Sequence, residues 1–275
     1  MSWRPISHYH YHTHPALGSS SLKLLWENPA KYYAEKALPD WLKSEGGYSI
    51  EFGTDLHCAL LEPERFQAEY VIVPEEMDRR KKEFKDFEKS HEGKKVRVGR
   101  PAFHLKNCIE AVKSNKQVMQ LLELDGVNEL GGFWKDGETG VDCKIKPDRR
   151  LLNRPILIDI KTTDDISLRS VQKSAVSWHW PLQAAHYLEG ANAIEGAPVY
   201  KKFVFILVQR EPPYSSAVFI SDDEFIKKGL EMRQKALHNY AECERENASI
   251  KDVLQGVFNL TLPKWAYTAE ENNDE

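Results

Sequence analysis

The chain is poor in cysteine and has no close cysteine pair. Cys58, Cys108, Cys143 and Cys243 are scattered along the length, with no CxxC among them. That spacing argues against a zinc ribbon or a dithiol redox motif, and against an iron–sulfur cluster on closely spaced cysteines. Free thiols in a reducing compartment are expected instead. Long apolar runs are also missing: no stretch reaches the roughly 18 residues that a membrane-spanning helix needs. The opening MSWRPISHYHYHTHP has no apolar segment of the kind a secretory signal carries. A cytoplasmic setting without membrane attachment is therefore expected. There is no internal repeat, and low complexity is confined to AEENNDE at 269–275, read as a disordered acidic tail.

A basic excess, the usual mark of a nucleic-acid enzyme, is absent too: the net charge is −4. The charge is unevenly spread, however. The tail holds four acidic residues and no basic one, so the remaining body is formally neutral. Within that body, residues 79–97 carry nine Lys or Arg against four Asp or Glu. An acidic chain can still bind nucleic acid through a local basic groove. Arg79, Arg80, Lys81 and Lys82, which open this stretch, are candidates for DNA contact or for a merely solvated face. With 41% hydrophobic and 29% charged residues, a packed core is expected, and residues 1–268 are read as one domain.

The periodicities predict helices first and strands later. Ser19, Ser20 and Ser21 supply N-cap candidates for a helix through LKLLWENPAKYYAEK, which Pro29 should bend or restart. Further helices are predicted over SIEFGTDLHCALLEP and over roughly 100–123. VNELGGFWK and GVDCKIKPD, joined by a DGETG turn, read as a hairpin. RRLLNR reads as a loop, and PILIDIK as a short apolar strand. A helix starts near Pro181, KKFVFILVQ and SSAVFIS are strands, and a long amphipathic helix follows, capped by Ser221 or Asp222. The layout is α/β: a central mixed β-sheet flanked by helices.

The chemistry concentrates at Pro147-Asp148, ten further residues, then Asp159-Ile160-Lys161. On a strand, residues two apart share a face, so Asp159 and Lys161 project together while Ile158 and Ile160 face the core. A short loop can bring Asp148 beside Asp159, so that two carboxylates and an ammonium converge at a sheet edge. Such a group suits phosphodiester hydrolysis. Carboxylates hold hard divalent cations, a bound cation activates water, and a lysine stabilises the charge that develops. The plain alternative is a solvated strand end with an incidental ion pair. Glu129, on the first hairpin strand, lies within reach of the same edge. His57 follows Gly53 by four residues and shares its helical face; it is either a ligand or a satisfied core histidine. Gln183 and Tyr187 are likewise four apart. His8, His10, His12 and His14 alternate and read as an exposed arm with some capacity for metal. Trp178 and Trp180 could stack on a DNA end or pack in the core.

Taken in order, GxxxH, E, PD, DxK and QxxxY resemble the recombination-nuclease branch of the PD-(D/E)XK, or restriction-endonuclease-like, superfamily. Nearly the whole chain resembles the exonuclease VIII-type nuclease domain of prophage recombination systems. The resemblance is carried by GSSSLKLL, FGTDLHCALLEPERF, KIKPDRRL, ILIDIKTTDDI, PLQAAHY and LTLPKWA. It implies His57, Asp148, Asp159 and the Ile160 carbonyl as metal ligands and Lys161 as the catalytic lysine. It also implies Glu129 as an acidic group near the metal, with Gln183 and Tyr187 supporting the site and the DNA end. The cofactor implied is Mg²⁺, with Mn²⁺ as a substitute. The activity implied is 5′→3′ digestion of duplex DNA ends, leaving 3′ single-stranded overhangs for a single-strand annealing protein. A ring-shaped homo-oligomer, typically a tetramer, is implied as well. The competing readings are a structure-specific or restriction-type endonuclease on the same fold, and a catalytically silent DNA-binding or assembly protein.

Overall fold

The computed structural model describes residues 2–38, 47–75, 77–246 and 260–261. The acidic tail and most of LTLPKWA lie outside them. The scaffold is a five-stranded mixed sheet in the order β10-β9-β8-β7-β4. Its strands are β4 (Gly126–Asn128), β7 (Arg149–Leu151), β8 (Ile156–Thr163), β9 (Lys202–Gln209) and β10 (Ser216–Ile220). β8 and β9 run parallel over eight paired positions and every other pairing is antiparallel. The DxK strand is therefore the middle strand, not the edge its spacing suggested.

Alternation along β8 and β9 divides the core in two. Leu157, Phe203, Phe205 and Leu207 face one cluster, shared with α2 (Ser19–Glu27), α10 (Trp180–Glu195) and α11 (Asp223–Glu246). Ile158, Ile160, Val204, Ile206 and Val208 face the other, shared with α4 (Tyr48–Leu61), α7 (Gly99–Ser114) and α8 (Lys116–Glu123). Burying each of these aliphatic side chains stabilises the sheet by roughly 1.5–3 kcal/mol. A run buried on both faces also explains why the strand reads as continuously apolar, apart from Asp159 and Lys161. On the first face α11 lies so close to α10 that a Cβ on Gly229 would stand 2.0 Å from the Pro181 carbonyl oxygen.

Several boundaries differ from the sequence expectation, each for a local reason. The first helix stops at Glu27, and Asn28 caps a new one, α3 (Pro29–Ala37), with its side chain accepting from Ala30 N at 2.8 Å. Pro29 therefore restarts the helix rather than bending it. Gly18, not a serine, occupies the N-cap of α2. The predicted helix over 100–123 divides at Asn115, whose Oδ1 accepts from Gln117 N and Val118 N. Asp222 caps α11 by accepting from Phe225 N at 2.7 Å, while Ser221 bonds to Phe203 O. Among the described residues no helix is long and apolar enough to cross a membrane.

The largest correction concerns the hairpin. VNELGGFWK is not one strand: β4 belongs to the five-stranded sheet, whereas β5 (Leu130–Lys135) joins β1 (Ser2–Pro5) and β6 (Asp142–Ile145) in a three-stranded sheet. The return path crosses between the same two sheets, from β6 to β7, so RRL in the supposed loop is a strand. Glu129 sits at the first crossing and Asp148 at the second.

Candidate active site

The two crossings bring the acidic groups together. Glu129 has a left-handed backbone with φ 56°, a conformation that costs a non-glycine residue about 1–3 kcal/mol unless its surroundings hold it. Its N–H donates to the Asp148 carbonyl oxygen at 3.2 Å, which ties one crossing to the other. Asp148 in turn grips the neighbouring strand, accepting from Ile160 N through Oδ2 at 2.6 Å. From the opposite side α4 supplies His57. Its Nε2 donates to the Ile160 carbonyl oxygen at 2.8 Å and its Nδ1 lies 3.5 Å from Asp148 Oδ1. His57, Glu129 and Asp148 offer donor atoms that all lie within 4.8 Å of one another. One imidazole and two carboxylates, with the Ile160 carbonyl beside them, form a donor set that fits a divalent cation.

Asp159 and Lys161 lie next to this cluster on the α10 face of β8. Lys161 Nζ is 2.7 Å from Asp159 Oδ2 and stands over the rings of Trp180 and Phe205. Gln183 on α10 donates to the other Asp159 oxygen at 2.6 Å. The amide is oriented in its turn by Lys23 of α2, whose Nζ donates to Gln183 Oε1 at 3.2 Å. Tyr187, one helical turn further on, is buried. Burial drives its hydroxyl pKa well above the ordinary range, and it hydrogen-bonds with Ser19 and Tyr11.

Burial sets the electrostatics. Burial pushes the Asp148 carboxyl up to about 7; facing His57 lowers it, the Asp159 and Glu129 charges raise it, and the Ile160 N–H lowers it. Lys23 moves the other way, lowered to about 7 by burial and by Lys161, with Asp159 opposing. A carboxyl at Asp148 that resists ionisation, beside a Lys23 that resists protonation, marks a site whose charge balance favours a bound cation.

Of the residues read as ligands from the sequence, His57, Asp148 and the Ile160 carbonyl lie together. Glu129 enters the donor cluster directly, while the Asp159 carboxylate is engaged by Lys161 and Gln183. Arg79, Arg80, Lys81 and Lys82 are exposed. Arg79 and Arg80 line a separate cleft with Ile72, Phe103 and Lys106. The cleft over the donor cluster is lined instead by Lys144, Lys146, Arg65 and the serines 19–21. Lys146 pairs with Glu129. Its place two residues before Asp148, in the same segment between β6 and β7, was the available signal. Lys23 had no such signal. The histidine tract is exposed at His8, His10 and His12, as expected, but it is wound into a short helix, α1 (His8–Thr13), with Tyr11 buried beneath it. Trp180 is buried and stacks on Phe205, whereas Trp178 is 67% exposed.

The architecture is shared with a solved structure. A candidate exonuclease from Eubacterium rectale matches over 97% of this chain and 99% of its own, at a TM-score of 0.62 and 13% identity. A phage-related exonuclease from Haemophilus somnus 129PT matches over 87% of this chain and 100% of its own, at a TM-score of 0.37 and 13% identity. The first of these likenesses shows a common fold. A comparison with curated protein sequences returns no match. A family model, by contrast, matches residues 18–251, a span that contains both sheet crossings, the DxK strand and the α10 glutamine, and the chain belongs to that family, the PDDEXK-like domain of unknown function (DUF3799).

Proposed function

We propose that this chain is a divalent-metal-dependent nuclease that digests duplex DNA from its ends, 5′→3′, leaving 3′ single-stranded overhangs. The observation that carries the reading is the convergence of His57, Glu129 and Asp148 within 4.8 Å, alongside the Lys161–Asp159 pair. Bound there, Mg²⁺ or Mn²⁺ would polarise the scissile phosphate and lower the pKa of a water. The chain's own residues do the rest. Lys161 holds a positive charge where the phosphate becomes more negative. Asp159 and Gln183 keep that ammonium in place, and the apolar packing of β8 keeps the strand from shifting. The choice of exonuclease over endonuclease, the polarity, the annealing partner and a ring-shaped homo-oligomer are supported by the motif resemblance, and the first of them also by the exonuclease name of the Eubacterium rectale structure that shares the fold.

The test is digestion of end-labelled linear duplex and of covalently closed circular DNA, with and without Mg²⁺. A 3′ label should persist on long single strands, a 5′ label should be released early, and the closed circle should survive. Linearisation of the circle would replace the exonuclease by an endonuclease. No cleavage with either metal would leave a DNA-binding protein on a nuclease fold.

A further inference from the structure

The histidine tract lies against the cleft without taking part in the chemistry just described. His8 and His12 are one helical turn apart on α1 and so share a face. Their ring centroids stand 4.2 Å apart with planes inclined at 43°, and both rings line the cleft that contains His57, Glu129 and Asp148. The helix carrying them is held from three sides. Ser7 caps it by accepting from His10 N at 3.2 Å, Tyr11 is buried beneath it, and Lys144 Nζ donates to the carbonyl oxygens of Tyr11 and His14 at 2.6 and 2.8 Å. We propose that His8 and His12 form a second metal site at the mouth of the cleft, selective for late first-row dications such as Zn²⁺ over Mg²⁺.

Three features support it. Imidazole nitrogen favours Zn²⁺, Ni²⁺ and Co²⁺, whereas the cluster of Asp148, Glu129 and Ile160 O, with His57 as its one nitrogen donor, is richer in oxygen and suits Mg²⁺ or Mn²⁺ better than a pair of imidazoles does. Both imidazoles are kept neutral at neutral pH, His12 being lowered to about 4 by burial, by His8 and by Lys144 and Lys146. A cation therefore displaces no proton when it binds. The field of those lysines also opposes a cation, but Lys146 is paired with Glu129, whose charge in turn reaches His8. Two protein ligands leave coordination positions open to water or to an anionic oxygen in the cleft. His10, between them in sequence, hydrogen-bonds with the Ser7 hydroxyl at 2.9 Å and serves as the internal control.

The experiment is calorimetric titration of Zn²⁺ into the full chain held in saturating Mg²⁺, which competes for the Asp148 cluster, with His57→Ala reporting any Zn²⁺ taken up there. Wild type should take up one Zn²⁺ per chain. His8→Ala and His12→Ala should each weaken that binding by about 10-fold or more, because a lost ligand costs at least as much as a lost supporting partner. His10→Ala and His57→Ala should retain it, and all variants should melt like wild type in EDTA. Unchanged Zn²⁺ affinity in both His8→Ala and His12→Ala overturns the proposal. Loss of binding in His57→Ala alone also overturns it, by assigning the ion to the nuclease cluster. Because the readout is binding, failure here leaves the nuclease reading intact, and failure of that reading leaves this one intact.

Discussion

The N–H of Glu129 donates to the backbone carbonyl oxygen of Asp148 across 3.2 Å, at the point where both chain segments cross from one sheet to the other. This bond holds Glu129 at φ 56° and aims its carboxylate at the Asp148 side. A residue in that backbone region persists only where its neighbours determine it, and such residues gather at functional sites.

Glu129→Gln should keep the crossing and remove the charge. Mn²⁺ affinity, measured by calorimetry, should fall by about 10- to 100-fold, with His57→Ala causing a comparable loss. Melting in EDTA should change little. Wild-type Mn²⁺ affinity in Glu129→Gln would show that the cation is held without it.

Lys161→Ala should reduce cleavage of linear duplex by about 10²-fold or more, the usual effect of removing a preorganised charge stabiliser. Duplex binding in Ca²⁺, followed by fluorescence anisotropy, should remain near wild type, because the ammonium acts on charge that develops in the transition state rather than on the bound duplex. A variant that cuts at the wild-type rate would remove Lys161 from the chemistry.

Stability should depend on pH in a direction set by Asp148. Its pKa rises from 3.8 to about 7 on folding, so between those values the native chain retains a proton that the unfolded chain releases. This contribution is present at low pH and is lost as pH rises through about 7. Lys23 runs the other way: its pKa falls from 10.5 to about 7, so its contribution improves as pH rises from 7 towards 10.5. The metal-free site is thus least favourable near neutral pH, and Mg²⁺ should raise the melting temperature most there and little below pH 5. Melting curves of wild type and Asp148→Asn in EDTA test this. The variant should lose the decline between pH 4 and 7; an identical decline in both would assign it to other groups.

Gly229→Ala should destabilise the fold by about 1–3 kcal/mol, the usual cost of overpacking. The added methyl would meet the Pro181 carbonyl, a backbone atom at the start of the helix that carries Gln183. Since α10 must shift to admit it, cleavage should weaken along with the urea midpoint. Wild-type stability would mean that the two helices separate more easily than their packing implies.

Local sequence determined the facing of residues. Alternation put Asp159 and Lys161 on one side of β8 and Ile158 and Ile160 on the other, and a four-residue step put Gln183 and Tyr187 on one face of α10. These relations depend only on strand and helix period, which any short segment carries within itself. Tertiary structure decided which faces meet. His57 reaches the Ile160 carbonyl across 103 residues, and Lys23 reaches Gln183 across 160; no local period encodes either contact. The same holds for the break of VNELGGFWK at Glu129, for the RRL strand, and for the histidine tract folding down on the cleft. In each, the segment's own propensity was overruled by where its neighbours offered hydrogen bonds and apolar surface. The chemistry of the site was therefore legible in residue types and spacing, whereas its assembly depended on two sheets exchanging chain at Glu129 and Asp148, a long-range arrangement that no short segment specifies.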